Sequence, residues 1–367
     1  MKAVAAFPAE QAIRLIDHPE PVLERDTEAL LRVLDVGVCG TDREIARFDY
    51  GTAPAGSEYL VMGHESLAEV VRVAPAVVGV RPGDLVVTRV RRPCEQARCP
   101  ACAMGRPDFC VTGDFTERGI NKRHGFMTEL VADDRRYLHV VPRALARIGV
   151  LIEPLTIAEK GLIEVVKVEN RLPWLRDGSH PSGRAMVLGA GPVGLLGAMA
   201  LLVRGFETWV YSLEPADSPK AAWVRSVGAE YVSANDTDVA ALGDKLDVDL
   251  MYEATGASGL AFRALAALGT NGVFIFTGVP GRKAPIELDA ARIMRNLVLK
   301  NQVMYGTVNA GPDAFEHAIT DLQKFDARWP DAVRALITGR FPPERCTELL
   351  SGRASGIKQV ISFGEVA

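Results

Sequence analysis

The sequence predicts an α/β protein of two domains: a β-rich one, and a doubly wound parallel sheet with helices on both faces. Three observations predict it. The chain of 367 residues is too long for one ordinary hydrophobic core. Its pattern changes near Ile157 from short strand-like runs to strand and helix in alternation. A Gly-x-Gly-x-x-Gly string then follows directly on an apolar run of strand length and opens a helical pattern.

Taken in order, the first 150 residues give strand runs at Lys2 to Phe7, Ala29 to Val36, Leu67 to Val73, Asp84 to Val90, Met127 to Val131 and Tyr137 to Val141. Few are long enough for a helix, and Gly and Pro punctuate them closely, as in Arg81-Pro82-Gly83-Asp84, so this part reads as mostly antiparallel β. From about Ile157 helices begin. Then follow strands at Ala185 to Leu188, Thr208 to Tyr211, Tyr231 to Ser233, Val248 to Tyr252 and Val273 to Phe276, with helices at Pro192 to Arg204, Pro219 to Val227 and Leu260 to Leu268 between them. Asn170 to Gly183 (NRLPWLRDGSHPSG) reads as the surface connection into the first strand of that sheet.

Composition narrows the function classes. With 48% hydrophobic and 24% charged residues and a net charge of −4, the chain reads as soluble and globular, with no basic face of the kind that holds nucleic acid. The longest apolar stretch, Pro192 to Val203, is broken by glycines and is not a membrane span. There is no low-complexity tract or internal repeat, and Met1 to Phe7 reads as a strand rather than a secretory leader, so the expected compartment is the cytoplasm.

Four of the six cysteines, Cys94, Cys99, Cys102 and Cys110, crowd into one Pro- and Arg-rich loop too irregular to bury a core of its own. Four thiolates can close a tetrahedral shell around Zn2+, which makes a structural site with no open position. Disulfides fit poorly without a secretory leader, and free thiols have no reason to cluster so. Cys346, alone near the C-terminus, reads as a small apolar residue.

The glycine string is Gly189-Ala190-Gly191-Pro192-Val193-Gly194. Its glycines permit a tight turn and a close approach to a pyrophosphate, which the free N–H groups and dipole of the helix N-terminus stabilise, as in a Rossmann fold. The next strand ends in Tyr211-Ser212-Leu213-Glu214. A carboxylate there accepts from ribose hydroxyls and repels a 2′-phosphate, and no Arg occurs before Arg225, so NAD is favoured over NADP; Lys220 is the one cation close enough in sequence to counter that.

Three separated pieces could supply an open zinc site: Cys39 in GVCGTD, His64 with Glu65 in MGHES, and Glu153 in LIEPL. A thiolate, an imidazole and a carboxylate suit a catalytic zinc, which keeps an exchangeable fourth position. Taken singly, Cys39 also suits a core position, His64 a hydrogen-bonded core histidine and Glu153 a helix start before Pro154. Residue chemistry leaves both readings open.

VGVCGTDREI, MGHE, RPGDLV, the four-cysteine lobe and GAGPVG, in that order and spacing, resemble the zinc-dependent medium-chain dehydrogenases. Glu44, GRPDFC-x-x-G-D-F, HGFMTE, LIEPL-x-x-x-EK and GTVNAG are most similar to the glucose dehydrogenase branch, over Met1 to about Ile361. The resemblance implies a GroES-like β-rich catalytic domain over residues 1–156, completed by 310–367, and a Rossmann domain with linking helices over 157–309. It implies Cys39, His64 and Glu153 as ligands of a catalytic zinc, with Glu65 as an alternative ligand or exchange partner, besides the structural zinc of the lobe. Thr41 is implied as the hydroxyl that receives the substrate proton, with Glu44 as relay or ribose contact. Asp42 reads either as partner of His64 or as a cap on the helix starting at Thr41. Asp114, Glu153 and Asn309 join Thr41 at the substrate. Gly189, Gly191, Pro192, Val193, Gly194, Ser212, Glu214, Thr255, Thr277, Val279 and Asn309 form the cofactor set.

The activity implied is oxidation of an aldose at its anomeric carbon to the lactone. Val90 and Ile157 stand where a glucose-reading pocket would be polar, and an unpaired buried hydroxyl costs about 1–3 kcal/mol; another polyol or secondary alcohol is therefore the alternative. A non-catalytic, zinc-stabilised nucleotide-binding protein is the reading from a different class. Dimers or tetramers are usual among proteins of this resemblance.

Overall fold

The computed structural model describes residues 1–175, 183–281, 285–352 and 356–364. It divides into two compact units, Met1–Glu153 with Asn309–Asp326 and Val333–Ala367, and Pro154–Val308 with Ala327–Ala332. The first junction lies three residues before the sequence-based boundary at 156/157. The reason is that the helix Ile152–Glu169 already starts at the LIEPL segment, with Pro154 in its first turn, where a missing N–H is tolerated. Residues 327–332 belong to the second unit because Trp223 Nε1 donates to the Ala332 carbonyl at 2.9 Å and Arg328 to the Leu202 carbonyl at 3.4 Å. Of the connection read at Asn170 to Gly183, residues 176–182 lie outside the described residues.

The first unit is built on a seven-stranded sheet whose long central strand, Glu28–Gly37, pairs antiparallel with Glu65–Val73 from Ala29↔Val73 to Gly37↔Glu65. Alternate residues point to opposite faces, so Ala29 and Leu31 meet Ala68, Val70, Val86 and Leu138 in a core on one side. A second core packs Val33, Val36, Met62, Phe126 and, from the C-terminal segment, Cys346, Leu349 and Ile361. Cys346 is thus an ordinary core residue, only 2% exposed. The last strand, Lys358–Ser362, returns to the start of the chain and pairs antiparallel with the end of Glu28–Gly37. A smaller sheet joins Lys2–Phe7 to Ala12–Asp17 and Leu60–Val61. The strand expected at Met127 to Val131 runs instead over Leu130–Asp134. Met127 is spent on cross-links, accepting from Val4 N–H at 2.8 Å and donating to the Met62 carbonyl at 2.8 Å.

The second unit carries six parallel strands. In sheet order they are Glu230–Ser233, Glu207–Ser212, Arg184–Leu188, Val248–Glu253, Leu268–Phe276 and Val303–Gly306, the 3-2-1-4-5-6 order of a doubly wound sheet. The first strand is RAMVL, buried from Ala185 to Leu188, as expected for a parallel strand covered on both faces. The helix behind it, Pro192–Val203, is buried from Gly194 through Leu202, which explains its apolar composition all round. The helix expected to reach Leu268 stops at Ala264, because the chain tightens through Leu265–Ala267 and Leu268 already opens the fifth strand. No described helix is long and apolar enough to cross a membrane.

Candidate metal and nucleotide sites

Cys39 sits at the N-terminus of the helix Gly40–Ala46, just past the end of the central strand, and His64 and Glu65 sit where the partner strand begins. The register pairing Gly37 with Glu65 therefore brings the three together: ligand atoms of Cys39, His64 and Glu65 all lie within 4.8 Å of one another. A side chain at position 37 would put its Cβ 2.1 Å from Glu65 Oε2, so glycine is what lets that carboxylate in. Asp42 takes both roles read from the sequence. Its Oδ2 accepts from the Cys39 N–H at 2.8 Å, capping the helix, and its Oδ1 lies 3.5 Å from His64 Nδ1. The carboxylate thus faces one ring nitrogen and leaves the other for a ligand role.

Electrostatics favour a cation here. Burial opposes charge on His64, but the Asp42 carboxylate and the Cys39 sulfur outweigh it and hold the ring well above its ordinary range. Glu153 is also buried, and burial together with the neighbouring Glu65 pushes its carboxyl up to about 7 against the pull of His64. It stands beside the group without joining the three within 4.8 Å. Sequence reasoning missed Lys358: its buried ammonium donates to Glu65 Oε2 at 2.6 Å, Glu65 Oε1 at 2.9 Å and the Val38 carbonyl. Burial alone would discharge Lys358, but Glu65, then Cys39 and Glu153, raise it above its usual value. A lysine opening a strand reads as a solvated end, and no local signal marks it as a partner for residue 65.

Thr41 and Glu44 lie three apart on the helix that starts at Cys39, half-buried and on neighbouring positions of one face. Asn309 adopts a left-handed backbone with φ of 60° and donates from Nδ2 to Glu117 Oε1 at 3.0 Å. That same oxygen accepts from Arg91 Nε and Nη2 at 3.0 Å each, so Arg91 and Glu117 are further members of this region that the sequence did not single out. Asp114 is exposed on the lobe, and its carboxylate accepts a hydrogen bond from Gln96.

The lobe brings Cys94, Cys99, Cys102 and Cys110 within 4.8 Å of one another, and all six cysteines of the chain are free thiols. Cys99 caps the short helix Pro100–Ala103, and Cys110 follows a turn at Pro107–Phe109, so two turns aim the sulfurs inward. Burial pushes the Cys102 thiol up to about 12, whereas hydrogen bonds from Thr112 and Gly113 overcome burial and hold Cys110 at about 6. Four sulfurs competing for charge at one point suit a divalent soft cation. Arg106 fastens the lobe by pairing with Asp108 at 2.8 Å and Asp313 at 3.1 Å.

At the nucleotide loop two of the three glycines have a steric reason and the third keeps an approach open. Gly189 turns at φ of 108°, Gly191 caps the helix with nothing within 4 Å of an added Cβ, and a Cβ on Gly194 would lie 2.1 Å from the Gly189 carbonyl oxygen. Turn, open approach and close helix packing are the three needs of a pyrophosphate site. Pro192 and Val193 form its first helical residues. Ser212 Oγ accepts from the Ala190 N–H at 3.3 Å and donates to Glu214 Oε2, and Lys220 pairs with Glu214 Oε1. Two strands along, buried Glu253 accepts from Thr255 N–H and Oγ1 at 2.6 Å, Gly256 N–H at 2.8 Å and Gly278 N–H at 3.1 Å. Its backbone carbonyl accepts from Thr277 Oγ1 at 2.7 Å. Glu253 thus fixes the two loops bearing Thr255 and Thr277, while Val279 just beyond is 72% exposed.

Comparison with known proteins adds a second line of evidence. An alcohol dehydrogenase GroES-like domain matches residues 25–143, and a glucose dehydrogenase C-terminus matches residues 146–363. The chain is 36% identical over 366 residues to the glucose 1-dehydrogenase of Methanocella arvoryzae, covering 99% of this chain and 100% of that one. It is 39% identical over 365 residues to that of Thermoproteus tenax, covering 98% and 99%. The structure of the Haloferax mediterranei glucose dehydrogenase in complex with NADP, Zn and gluconolactone superposes with a TM-score of 0.89 at 33% identity, over 99% of each chain.

Proposed function

The chain belongs to the glucose dehydrogenase family of zinc-dependent medium-chain dehydrogenases, and from that membership we propose that it oxidises an aldose at C1 to the lactone with transfer of hydride to NAD(P). The observation that carries this reading is the convergence of Cys39, His64 and Glu65 within 4.8 Å, in a chain that also carries a fully formed dinucleotide loop.

The residues fit zinc: a thiolate, an imidazole oriented by Asp42, and carboxylates in an anionic, desolvated group. Cys39 and His64 would hold it, with Glu65 or Glu153 as the carboxylate ligand and Lys358 balancing Glu65 when it is not engaged. When bound, zinc supplies Lewis acidity that lets a hydroxyl ionise near neutral pH, and the nicotinamide supplies the hydride acceptor. Thr41, two residues past Cys39, takes the proton from the C1 hydroxyl. Glu44, one turn further along the same helix face, passes it toward solvent. Asp42 keeps the His64 ring from rotating. The four cysteines of the lobe would hold a second, structural zinc, which would make the full count two per chain.

Reduced cysteines suit the cytoplasm. A homo-oligomer is supported by the strand Val303–Gly306, which among the described residues is paired on one side only, and by the exposed Met294, Val298 and Leu299 of the preceding helix; light scattering would read its size.

A coupled absorbance assay at 340 nm with a panel of aldoses, polyols and simple alcohols tests the activity. Turnover is expected with aldoses and a lactone product. Turnover confined to open-chain polyols would move the chain to another activity of the class, and nucleotide binding without turnover of any of them would remove the enzymatic reading.

We further propose NAD as the preferred coenzyme, because Glu214 stands at the end of the second strand, although the Haloferax protein was solved with NADP. Lys220 neutralises part of that carboxylate, so the preference is modest. Glu214→Arg should raise the NADP-to-NAD ratio of kcat/KM by about tenfold, by removing a repulsion and adding a phosphate partner. A parent enzyme already faster with NADP would mean that Glu214 does not govern the choice.

A further inference from the structure

Tyr50 is an aromatic side chain with no partner of its own. It is 53% exposed, and among the described residues its ring stacks on nothing and its hydroxyl makes no hydrogen bond. The backbone around it is fixed. Asp49 N–H donates to the Glu44 carbonyl at 3.1 Å. Gly51 turns at φ of 92°, where an added Cβ would meet Ile45 at 3.0 Å. Thr52 N–H donates to the Ile120 carbonyl at 2.9 Å, and the Thr52 carbonyl accepts from Lys122 N–H at 2.8 Å. A rigid backbone thus presents a free ring, an arrangement that offers large contact area at little entropic cost.

Backbone bonds say where the ring is held. Asp49 bonds the Glu44 carbonyl, and Thr52 bonds Lys122, which pairs in register with Glu117. Tyr50 is thus held between the helix bearing Glu44 and the strand bearing Glu117 of the Arg91–Glu117–Asn309 chain. Burial and then Glu117 raise its hydroxyl above the usual value. Glu117 Oε1 is already engaged by Arg91 and Asn309. Tyr50 has no such engagement, so its ring is free to meet a ligand.

We propose that Tyr50 is a specificity-determining residue whose ring is the platform for the C–H face of a cyclic sugar, selecting the pyranose over an open-chain polyol of equal length. This rests on the aldose reading given above. A pyranose offers one flat apolar face, whereas a flexible hexitol pays conformational entropy to present the same C–H groups together.

The test compares the holoenzyme with Tyr50→Ala and Tyr50→Phe, measuring KM for aldoses, calorimetric binding of D-glucono-1,5-lactone, binding of sorbitol, coenzyme affinity and zinc content. Tyr50→Ala should weaken aldose KM and lactone binding about tenfold. Tyr50→Phe, which keeps the ring, should stay within about threefold. Sorbitol binding, coenzyme affinity and zinc content should not move in either. Unchanged aldose KM and lactone binding in Tyr50→Ala would overturn the inference, as would an equal loss for sorbitol or a parallel fall in zinc. A parent enzyme that neither turns over aldoses nor binds the lactone would sink the aldose reading and this inference with it, whereas an active parent with an indifferent Tyr50→Ala would sink this inference alone.

Discussion

Cys39→Ser should abolish turnover and leave the fold intact, while Cys99→Ser should lower thermal stability and expression. The two cysteines differ in what surrounds them. Cys39 lies two residues past a ten-residue strand that is paired on both sides and packed into the main core, and its N–H is held by Asp42, so its backbone position does not depend on a metal. Cys99 is fully buried in a loop that has a four-residue helix, one three-residue turn and no apolar core of its own. What orders that loop is a closed thiolate shell, and metal binding there is folding free energy. Opening the shell should cost roughly 3 kcal/mol or more, on the order of 10 °C in Tm for a unit of this size. Metal analysis checks the division: each variant should lose one zinc of two. Equal destabilisation in both, with zinc falling from two to none, would contradict it.

Thr41→Val should lose about 10^2–10^4-fold in kcat, the usual contribution of a positioned proton-transfer group, and Thr41→Ser should keep much of the activity. Valine nearly matches threonine in shape. Thr41 lies in the first turn of the helix Gly40–Ala46, whose capping rests on Asp42 and the Cys39 N–H rather than on the Thr41 hydroxyl. Zinc content and coenzyme affinity should therefore stay near those of the parent, so that the loss falls on kcat. Full activity in Thr41→Val would shift the proton path to Glu44 or Glu65.

The parts of this protein legible in its sequence are those encoded locally. The glycine string carries its own steric logic within six residues, and the four cysteines of the lobe announce a shell by spacing alone. Five strands of the parallel sheet were readable because each is a short apolar run bounded by turn residues; the edge strand Val303–Gly306, only half-buried, was not. Ala12–Asp17 was not, because Arg14 and Asp17 interrupt its apolar residues and its partner, Lys2–Phe7, is what makes it a strand. The polar framework was hidden for a similar reason. Glu253 looks like a strand-end acid until two loops fold over it, and Glu117 gains meaning only from Arg91 and Asn309, the latter 192 residues away. Whether Glu65 or Glu153 completes the metal group is likewise a question of three-dimensional distance, and the two carboxylates read alike in one dimension.

The ion pair between Glu65 and Lys358 spans 293 residues. Its consequence lies in the order of synthesis. A ribosome releases Cys39, His64 and Glu65 early, then the whole of the second unit, whose sheet closes without help from either terminus. Only afterwards does it release the strand that carries Lys358. Until then the long central strand has an open edge where Lys358–Ser362 will pair, and Glu65 has no buried cation beside it. Chains cut short before residue 358 carry every metal-binding residue and still lack the charge that makes burying Glu65 tolerable. The last strand therefore supplies the one buried cation that pairs with Glu65 among the described residues, and a chain without it leaves that carboxylate buried and uncompensated.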